Sequence, residues 1–267
     1  MDIHINNLRI FAHTGGKPFD PNKPIFVLIH GAGTDHTFWG LQTRYFSHHG
    51  YSVLAIDLPG HGRSEGVPID SIEETALWLW KVLDQVSYRN VILAGHSMGS
   101  LIALEAASKR PDDTDALILV GVAERVAVHS DLLAAAKKND STAFDMITDW
   151  GFGQKSHLGG HQSPGLWMLG GGRALLAECS AGVLDSDLSA CHSYIGAIEA
   201  SKKISCPTLL LLGDKDRMTP PKMSVPLKEN LRISETKVLS DVGHMIMIEK
   251  PNETIDVMDE FLRRALS

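Results

Sequence analysis

The chain has 267 residues, 43% of them hydrophobic, with a formal net charge of −7 and three cysteines. A chain of this length buries roughly 70–75% of the surface that its unfolded form exposes, so one large domain, with or without an insertion, needs no disulfide or structural metal. The acidic balance argues against a nucleic-acid partner, because phosphates attract clustered Lys and Arg, and an odd cysteine count without C-x-x-C favours a reducing compartment.

Short apolar runs bounded by turn residues predict the strands of a sheet. The first two runs, Ile3–Ile5 and Leu8–Ala12, flank Asn6-Asn7. Asn tolerates positive φ, so this pair predicts a hairpin turn. The later runs that predict buried strands are Ile25–Ile29, Val53–Ile56, Val91–Ala94, Leu117–Val120 and Thr208–Leu212, with Lys237–Leu239 as a weaker one.

Helical patterns alternate with these strands. Ser71-Ile72-Glu73-Glu74 has the form of a capping box and opens a helix that runs to about Val86. Met98–Lys109 follows a strand directly and ends before a proline, and Pro251–Ala265 closes the chain. Alternation of this kind predicts an α/β fold, with a mostly parallel sheet flanked by helices on both faces.

The alternation breaks between about Val128 and Lys203. This segment has no convincing strand, and its helical patterns are Leu132–Lys138, Thr142–Asp149, Ala174–Ala181 and Leu188–Ala200. Its loose joints are glycine-rich: Gly151–Gly153, Gly159-Gly160 and Gly170–Gly172. We interpret residues 128–203 as a helical cap inserted after the sixth strand, and residues 1–127 and 204–267 as the core domain.

The pentapeptide Gly95-His96-Ser97-Met98-Gly99 is a G-x-S-x-G motif between a predicted strand and a predicted helix. A sharp strand-to-helix turn needs small residues on both sides of its centre, and the two glycines provide them. The turn lifts the Ser97 hydroxyl above the sheet edge, beside the helix N-terminus. This context predicts a catalytic nucleophile rather than an ordinary helix cap.

A serine hydroxyl is a weak nucleophile at neutral pH and needs a base, for which histidine is suited. His244 lies in Asp241-Val242-Gly243-His244, after the last predicted strand and before the last helix, so it can reach the same sheet edge. His96 adjoins the nucleophile, but its side chain should leave the turn in another direction. His30 and His61 are expected to be structural.

The base needs an acceptor on its other ring nitrogen. Asp214 and Asp216 both follow the predicted strand Thr208–Leu212, and Glu124 follows the strand Leu117–Val120. From the residues alone these three acids are equal candidates.

Acyl transfer also requires donors for the oxyanion. One predicted donor is the backbone N–H of Met98, which follows the nucleophile. The second is the N–H of Ala32, in the loop His30-Gly31-Ala32-Gly33 after a buried strand, where glycines let the backbone approach a substrate.

Aromatic and apolar residues of the cap are candidate walls of an apolar pocket: Trp150, Phe152, Trp167, Met168 and Tyr194. The alternative is that they only pack the cap onto the core. The segment has no obvious cluster of Lys and Arg, which disfavours a phosphate-rich substrate such as an acyl-CoA.

The sequence resembles the α/β-hydrolase superfamily over nearly its whole length. The matching motifs are HGAG (30–33), DLPGHGRS (57–64), GHSMG (95–99), GDKDRMTP (213–220) and DVGH (241–244). The resemblance implies the family's order of nucleophile, acid and histidine, with Asp216 as the acid and Glu124 as a weaker alternative. It also implies a cap over the pocket and neither a metal nor an organic cofactor.

The resemblance narrows the reaction. Ser97 stands where the related haloalkane dehalogenases and epoxide hydrolases carry Asp, and Ser100 follows where a second glycine is common. We therefore expect a hydrolase of small carboxylic esters that acts through an acyl-enzyme and water. The alternatives are a C–C bond hydrolase, lactonase, thioesterase or cofactor-free perhydrolase, or a small-molecule receptor without turnover.

The N-terminus lacks the basic and apolar regions of a signal peptide, and apolar runs such as Ala116–Ala123 are too short to span a bilayer. We expect a cytoplasmic protein without a membrane partner. The oligomeric state is left open.

Overall fold

The computed structural model describes residues 1–160 and 165–267. Their eight strands form one sheet in the order β1-β2-β4-β3-β5-β6-β7-β8. The strands are β1 (Asp2–Ile5), β2 (Leu8–His13), β3 (Ile25–Ile29), β4 (Ser52–Ile56), β5 (Val91–His96), β6 (Thr114–Val120), β7 (Thr208–Gly213) and β8 (Ser234–Leu239).

The sheet is mostly parallel, as predicted. β1 and β2 form an antiparallel hairpin, and β2 joins β4 antiparallel. Asn6 and Asn7 turn this hairpin with φ of 49° and 66°. The remaining neighbours, from β4 through β3, β5, β6 and β7 to β8, are parallel. The α/β class is confirmed.

Helices cover both faces of the sheet, so the central strands are buried along their whole length. The helices are α1 (Gly40–His48), α2 (Ile72–Leu83), α3 (Met98–Lys109), α4 (Ser130–Lys137), α5 (Thr142–Gly151), α6 (Gln154–His157), α7 (Met168–Glu178), α8 (Val183–Ser193), α9 (Ala197–Ser201), α10 (Val225–Asn230), α11 (Ile246–Glu249) and α12 (Pro251–Ala265). In the part of the chain that the structure describes, none of these helices is long and apolar enough to cross a membrane.

Six helices, α4–α9, lie in the chain between the sixth and seventh strands, and we call them the inserted helices. One predicted joint is wrong: Gly170–Gly172 lies inside α7. The Trp167 ring covers Gly170 and the Phe152 ring covers Gly172, at positions where a Cβ would lie within 3 Å of ring carbons. These glycines therefore permit aromatic rings to pack on the helix backbone.

The last inserted helix lies on the core rather than over the strand ends. α9 packs against α3 and α10. The predicted single helix Leu188–Ala200 is broken at Tyr194-Ile195-Gly196, so α8 and α9 are separate. Residues at the end of the predicted cap therefore belong to the packing around α3.

The parallel strands all end at one edge of the sheet, which is where sites form in such folds. The loops after β3, β5, β7 and β8 leave this edge, and their strands are neighbours or near neighbours. Residues far apart in sequence are therefore brought together there.

Candidate active site

Ser97 occupies a strained turn between β5 and α3. Its φ is 54° and its ψ is −118°, a conformation that non-glycine residues rarely adopt and that is stable only when its surroundings impose it. A Cβ on Gly95 would lie 1.9 Å from the Gly99 carbonyl oxygen, and one on Gly99 would lie 2.3 Å from the Ile29 carbonyl oxygen. The motif needs both glycines because α3 approaches β3 and β5 so closely.

Ser100 braces this turn. Its buried hydroxyl lies 2.6 Å from the Gly95 carbonyl oxygen and 2.9 Å from that of Val120, and it accepts a hydrogen bond from the Val120 N–H at 3.0 Å. The Ser97 N–H also donates to the Val120 carbonyl. The serine that replaces a second glycine thus ties the nucleophile turn to β6, a role that sequence reasoning missed.

His244 and Asp216 form a buried pair. The His244 Nδ1 lies 2.7 Å from Asp216 Oδ2, and both side chains are 1% exposed. Because a carboxylate only accepts, Nδ1 carries the proton and Nε2 is left as the basic nitrogen. Nε2 is buried and has no hydrogen-bond partner among the described residues. His244 and Ser97 line the same cavity.

The Asp216 carboxylate is held ionised. Its Oδ1 accepts from the N–H groups of Met218 and Thr219, both at 2.8 Å, and its Oδ2 accepts from the Thr219 hydroxyl at 2.8 Å. Burial alone would raise the pKa of Asp216, but the His244 ring and these hydrogen bonds lower it to about 2. An Asp followed three residues later by Thr is a local signal of such a turn.

The other two candidate acids have different surroundings. Asp214 lies 3.2 Å from the Lys215 ammonium group and is an acceptor for the Val242 N–H. Glu124 makes a backbone hydrogen bond with Met223. The structure brings neither carboxylate into a hydrogen bond with His244.

Two contacts of His244 were not anticipated. Gly121, which directly follows β6, has a φ of +60°, and a Cβ there would lie 3.0 Å from ring atoms of His244. His96 donates from Nε2 to the His244 carbonyl oxygen at 3.0 Å, and burial together with the neighbouring His244 ring lowers its pKa to about 3. A neutral His96 therefore links the nucleophile turn to the loop of the base.

The loop after β3 leaves the Ala32 N–H free among the described residues. The Gly31 carbonyl accepts from the Thr34 hydroxyl and from His30 Nδ1, both at 2.9 Å. The Ala32 N–H lies in the same peptide plane and points away from that carbonyl. The Gly33 N–H is used by Asp187 of α8, at 2.8 Å. Among the described residues, Ala32 N–H has no such partner.

Met98 offers a second N–H. It is the first residue of α3, so its amide has no acceptor within the helix. Helix N-termini stabilise negative charge.

A cavity of about 370 Å³ lies beside Ser97 and His244. Its base includes Ser97, His244, Ala32 and His96. Its walls are mainly apolar and come from the inserted helices and the segment before them: Val126, Val128, Leu132, Ile147, Trp150, Phe152, Leu176 and Leu188. Trp150 and Phe152 thus lie where the sequence predicted pocket walls.

Three other predicted wall residues lie elsewhere. Trp167 is 67% exposed and rests on Gly170. Met168 is buried in a hydrophobic cluster formed by residues of the inserted helices and of the sheet. Tyr194 packs with α3 and donates its hydroxyl to Glu105 at 2.7 Å, because the break before α9 turns it toward the core. Apolar character alone did not distinguish packing residues from wall residues.

One group of side chains has the composition of a metal site: Asp35, His36 and Asp57. Asp57 accepts hydrogen bonds from the His36 ring and from the N–H groups of His36 and Arg63. Both carboxylate oxygens of Asp57 are therefore already used in holding the DLPGHGRS loop.

Comparisons with known proteins identify the family to which this fold belongs. The model of the α/β-hydrolase family matches residues 26–257. An (E)-2-((N-methylformamido)methylene)succinate hydrolase of Acinetobacter baylyi is 27% identical over 88% of this chain and 89% of its own length. A pimeloyl-[acyl-carrier protein] methyl ester esterase of Proteus mirabilis is 27% identical over 86% of this chain and 89% of its own length.

Solved structures show the same fold. A thermophilic esterase superposes with a TM-score of 0.82 and 26% identity, covering 99% of this chain and 97% of its own. The enol-lactonase of Burkholderia xenovorans superposes with a TM-score of 0.86 and 20% identity, covering 98% of this chain and 100% of its own. At this identity the similarity is one of fold. With the family model spanning most of the sheet and the site, the chain belongs to the α/β-hydrolase family.

Proposed function

We propose that the protein is a serine hydrolase that cleaves a small carboxylic ester through an acyl-enzyme. One observation carries the proposal. The buried His244 is bonded through Nδ1 to an ionised Asp216, and its partnerless Nε2 lies in the same apolar cavity as the strained Ser97. A base oriented by a carboxylate next to a serine is the arrangement that activates a hydroxyl.

The reaction has two steps. In the first, His244 Nε2 removes the Ser97 proton as Oγ attacks the ester carbonyl, and the histidine then gives that proton to the leaving alcohol. In the second, His244 takes a proton from water, which attacks the acyl-enzyme. The proton returns to Ser97 and the acid leaves. Asp216 stabilises the imidazolium in both steps without accepting the proton.

Both tetrahedral intermediates carry an oxyanion. The N–H groups of Ala32 and Met98 are the proposed donors. Ala32 lines the cavity beside Ser97, and Met98 directly follows Ser97 as the first residue of α3, where its amide has no acceptor within the helix. Loss of one such donor costs roughly 3–4 kcal/mol of barrier in comparable sites.

The walls suggest the substrate class. They are largely hydrocarbon, so burial of an apolar acyl or alcohol group is favourable. Among the described lining residues Arg217 is the one permanent cation, and its exposed guanidinium lies 3.8 Å from Asp149. A neutral ester with an apolar chain therefore fits better than a phosphate-bearing one. Similarity to an esterase structure and to a methyl ester esterase supports this class.

The test is turnover of p-nitrophenyl esters of increasing acyl length. Ser97→Ala is run beside Ser193→Ala, which changes an exposed serine of α8 that bonds only to the Ala190 carbonyl. We expect Ser97→Ala to remove turnover, by roughly 10⁶-fold, and Ser193→Ala to retain it. Turnover that survives Ser97→Ala would refute the nucleophile, and a wild type inactive on every ester would favour C–C bond cleavage or a receptor.

A further inference from the structure

Asp187 is a buried carboxylate that the proposed reaction does not use. It lies on α8, one of the inserted helices, and is 2% exposed. A charge removed from water in this way is stable only with hydrogen-bonded partners. Its partners come from two core loops far away in sequence: Oδ2 lies 2.8 Å from the Gly33 N–H and 2.8 Å from His61 Nε2.

The geometry makes His61 a cation. Its Nδ1 lies 3.0 Å from the Pro59 carbonyl oxygen, which can only accept, so Nδ1 carries a proton. Its Nε2 faces the Asp187 carboxylate, which also accepts, so Nε2 carries one too. Although burial lowers the pKa of His61, the charge and hydrogen bond of Asp187 raise it above its usual value. The result is a buried ion pair between α8 and the DLPGHGRS loop.

The second contact of Asp187 reaches the oxyanion loop. Gly33 has a φ of +66°, and a Cβ on it would lie 2.9 Å from Leu184 and 3.1 Å from Leu176. The loop thus packs closely against the inserted helices, and the Asp187 carboxylate there accepts a hydrogen bond from the Gly33 N–H. Gly33 directly follows Ala32, whose N–H is the proposed oxyanion donor.

We propose that Asp187 is a positioning residue that sets the direction of the Ala32 N–H through the inserted helix α8. Two adjacent peptide planes determine that direction. The Gly31 carbonyl is held from the core by His30 and Thr34, and the next plane is held by Asp187 through the Gly33 N–H. His61 holds the carboxylate in place and balances its charge.

This inference rests on the proposed function, since it concerns the oxyanion donor of that reaction. It adds that the inserted helices do more than form walls: one of them completes the oxyanion site. A shift of α8 would then reduce catalysis even when the substrate still binds.

The experiment measures kcat and KM of Asp187→Ala and Asp187→Asn on the best p-nitrophenyl ester. Asp145→Ala is the control, because Asp145 is an exposed acid of the inserted helices paired with Arg173. End-point labelling of Ser97 by a fluorophosphonate counts the folded sites, so that kcat is expressed per site. Wild type and Ser97→Ala are run in the same assay.

We expect Asp187→Ala to lower kcat per site by about 10- to 100-fold with KM changed by less than about 2-fold, because a misplaced donor weakens transition-state binding. In Asp187→Asn the amide oxygen still accepts a hydrogen bond from the Gly33 N–H, but the charge that balances His61 is lost. We expect kcat per site to fall by about 3- to 10-fold. For Asp145→Ala, kcat per site and KM should both stay within about 2-fold of the wild-type values.

An unchanged kcat per labelled site in both Asp187 variants would overturn the inference, even if their melting temperatures fall. Should Asp187→Ala not fold, Asp187→Asn decides by the same measurement. An inactive wild type, or activity that survives Ser97→Ala, would instead be a failure of the proposed function, and both are read from proteins that carry no change at Asp187.

Discussion

The sheet and the inserted helices border the same cavity but contribute differently to it. The sheet edge presents Ser97, His244 and Asp216 on loops held by buried strands and by close backbone contacts. The inserted helices contribute hydrocarbon walls and no member of the proposed triad. The difference indicates that the proposed reactive groups are held by the buried sheet, while the walls of the cavity come mainly from the insertion.

The two regions are nevertheless connected by hydrogen bonds at the loop of Ala32 and at the loop of His244. On the oxyanion side, Asp187 of α8 receives the Gly33 N–H. On the other side, Glu249 of the core accepts from Gly153 N–H and the Ser156 hydroxyl of the inserted helices, and from Gly243 N–H beside the base. Asp187 and Glu249 thus tie the loop of Ala32 and the loop of His244 to the inserted helices.

The largest effect should come from the acid of the sheet edge. Asp216→Asn leaves the shape of the site but removes the charge that orients His244, so kcat should fall by roughly 10³- to 10⁴-fold. Asp214→Asn, which lies in the same loop and pairs with Lys215, should change kcat by less than about 3-fold. Steady-state kinetics on one ester compare the two variants. An equal loss of kcat in both would contradict the proposal that Asp216 is the acid that orients His244.

A second test places a methyl group against the base. Gly121→Ala puts a Cβ 3.0 Å from the His244 ring at a φ of +60°, so the ring must shift and kcat should fall about 10- to 100-fold. Gly171→Ala is the control, because a Cβ there has no neighbour within 4 Å. If Gly121→Ala kept wild-type kcat, the ring position would not depend on β6.

Acid stability provides a third test of the sheet edge. The pKa of Asp216 is about 2 in the fold, below its usual value of 3.8, so its ionisation stabilises the protein above about pH 4 and that stabilisation is lost as the pH falls toward 2. The loss should be about 2 kcal/mol. Urea unfolding between pH 5 and 2 should show a shallower fall for Asp216→Asn than for wild type or Asp214→Asn.

The smallest effect is expected in the wall. Trp150→Ala removes an aromatic wall of the cavity, so kcat/KM for medium-chain esters should fall about 10-fold or less through lost apolar contact. Acetate esters should be nearly unaffected, as should the rate of Ser97 labelling by a small fluorophosphonate. Trp167→Ala, outside the cavity, is the matched control. Equal losses for all chain lengths would mean that Trp150 supports the fold rather than the substrate.

The strands and the nucleophile turn could be predicted from the sequence because their signals are local. Apolar runs such as Ile25–Ile29 match their strands, and Gly95 and Gly99 frame Ser97 within five residues. The choice of acid was not local. Asp214 and Asp216 are two residues apart on one loop, and the resemblance to a family, not the pattern of residues, favoured Asp216.

The contacts of Asp187 and the position of Tyr194 were decided only by the tertiary structure, because they join segments that are far apart in the sequence. Asp187 meets Gly33 across 154 residues and His61 across 126, and no periodicity or motif marks such a pair. Tyr194 belongs to the core rather than the cavity because a break in the helix turns its side chain toward α3. The sequence by itself determined the strands and the turn that holds Ser97, because these depend on short-range signals. The walls of the cavity and the contacts of Asp187 are set by how the inserted helices pack on the core, which is long-range.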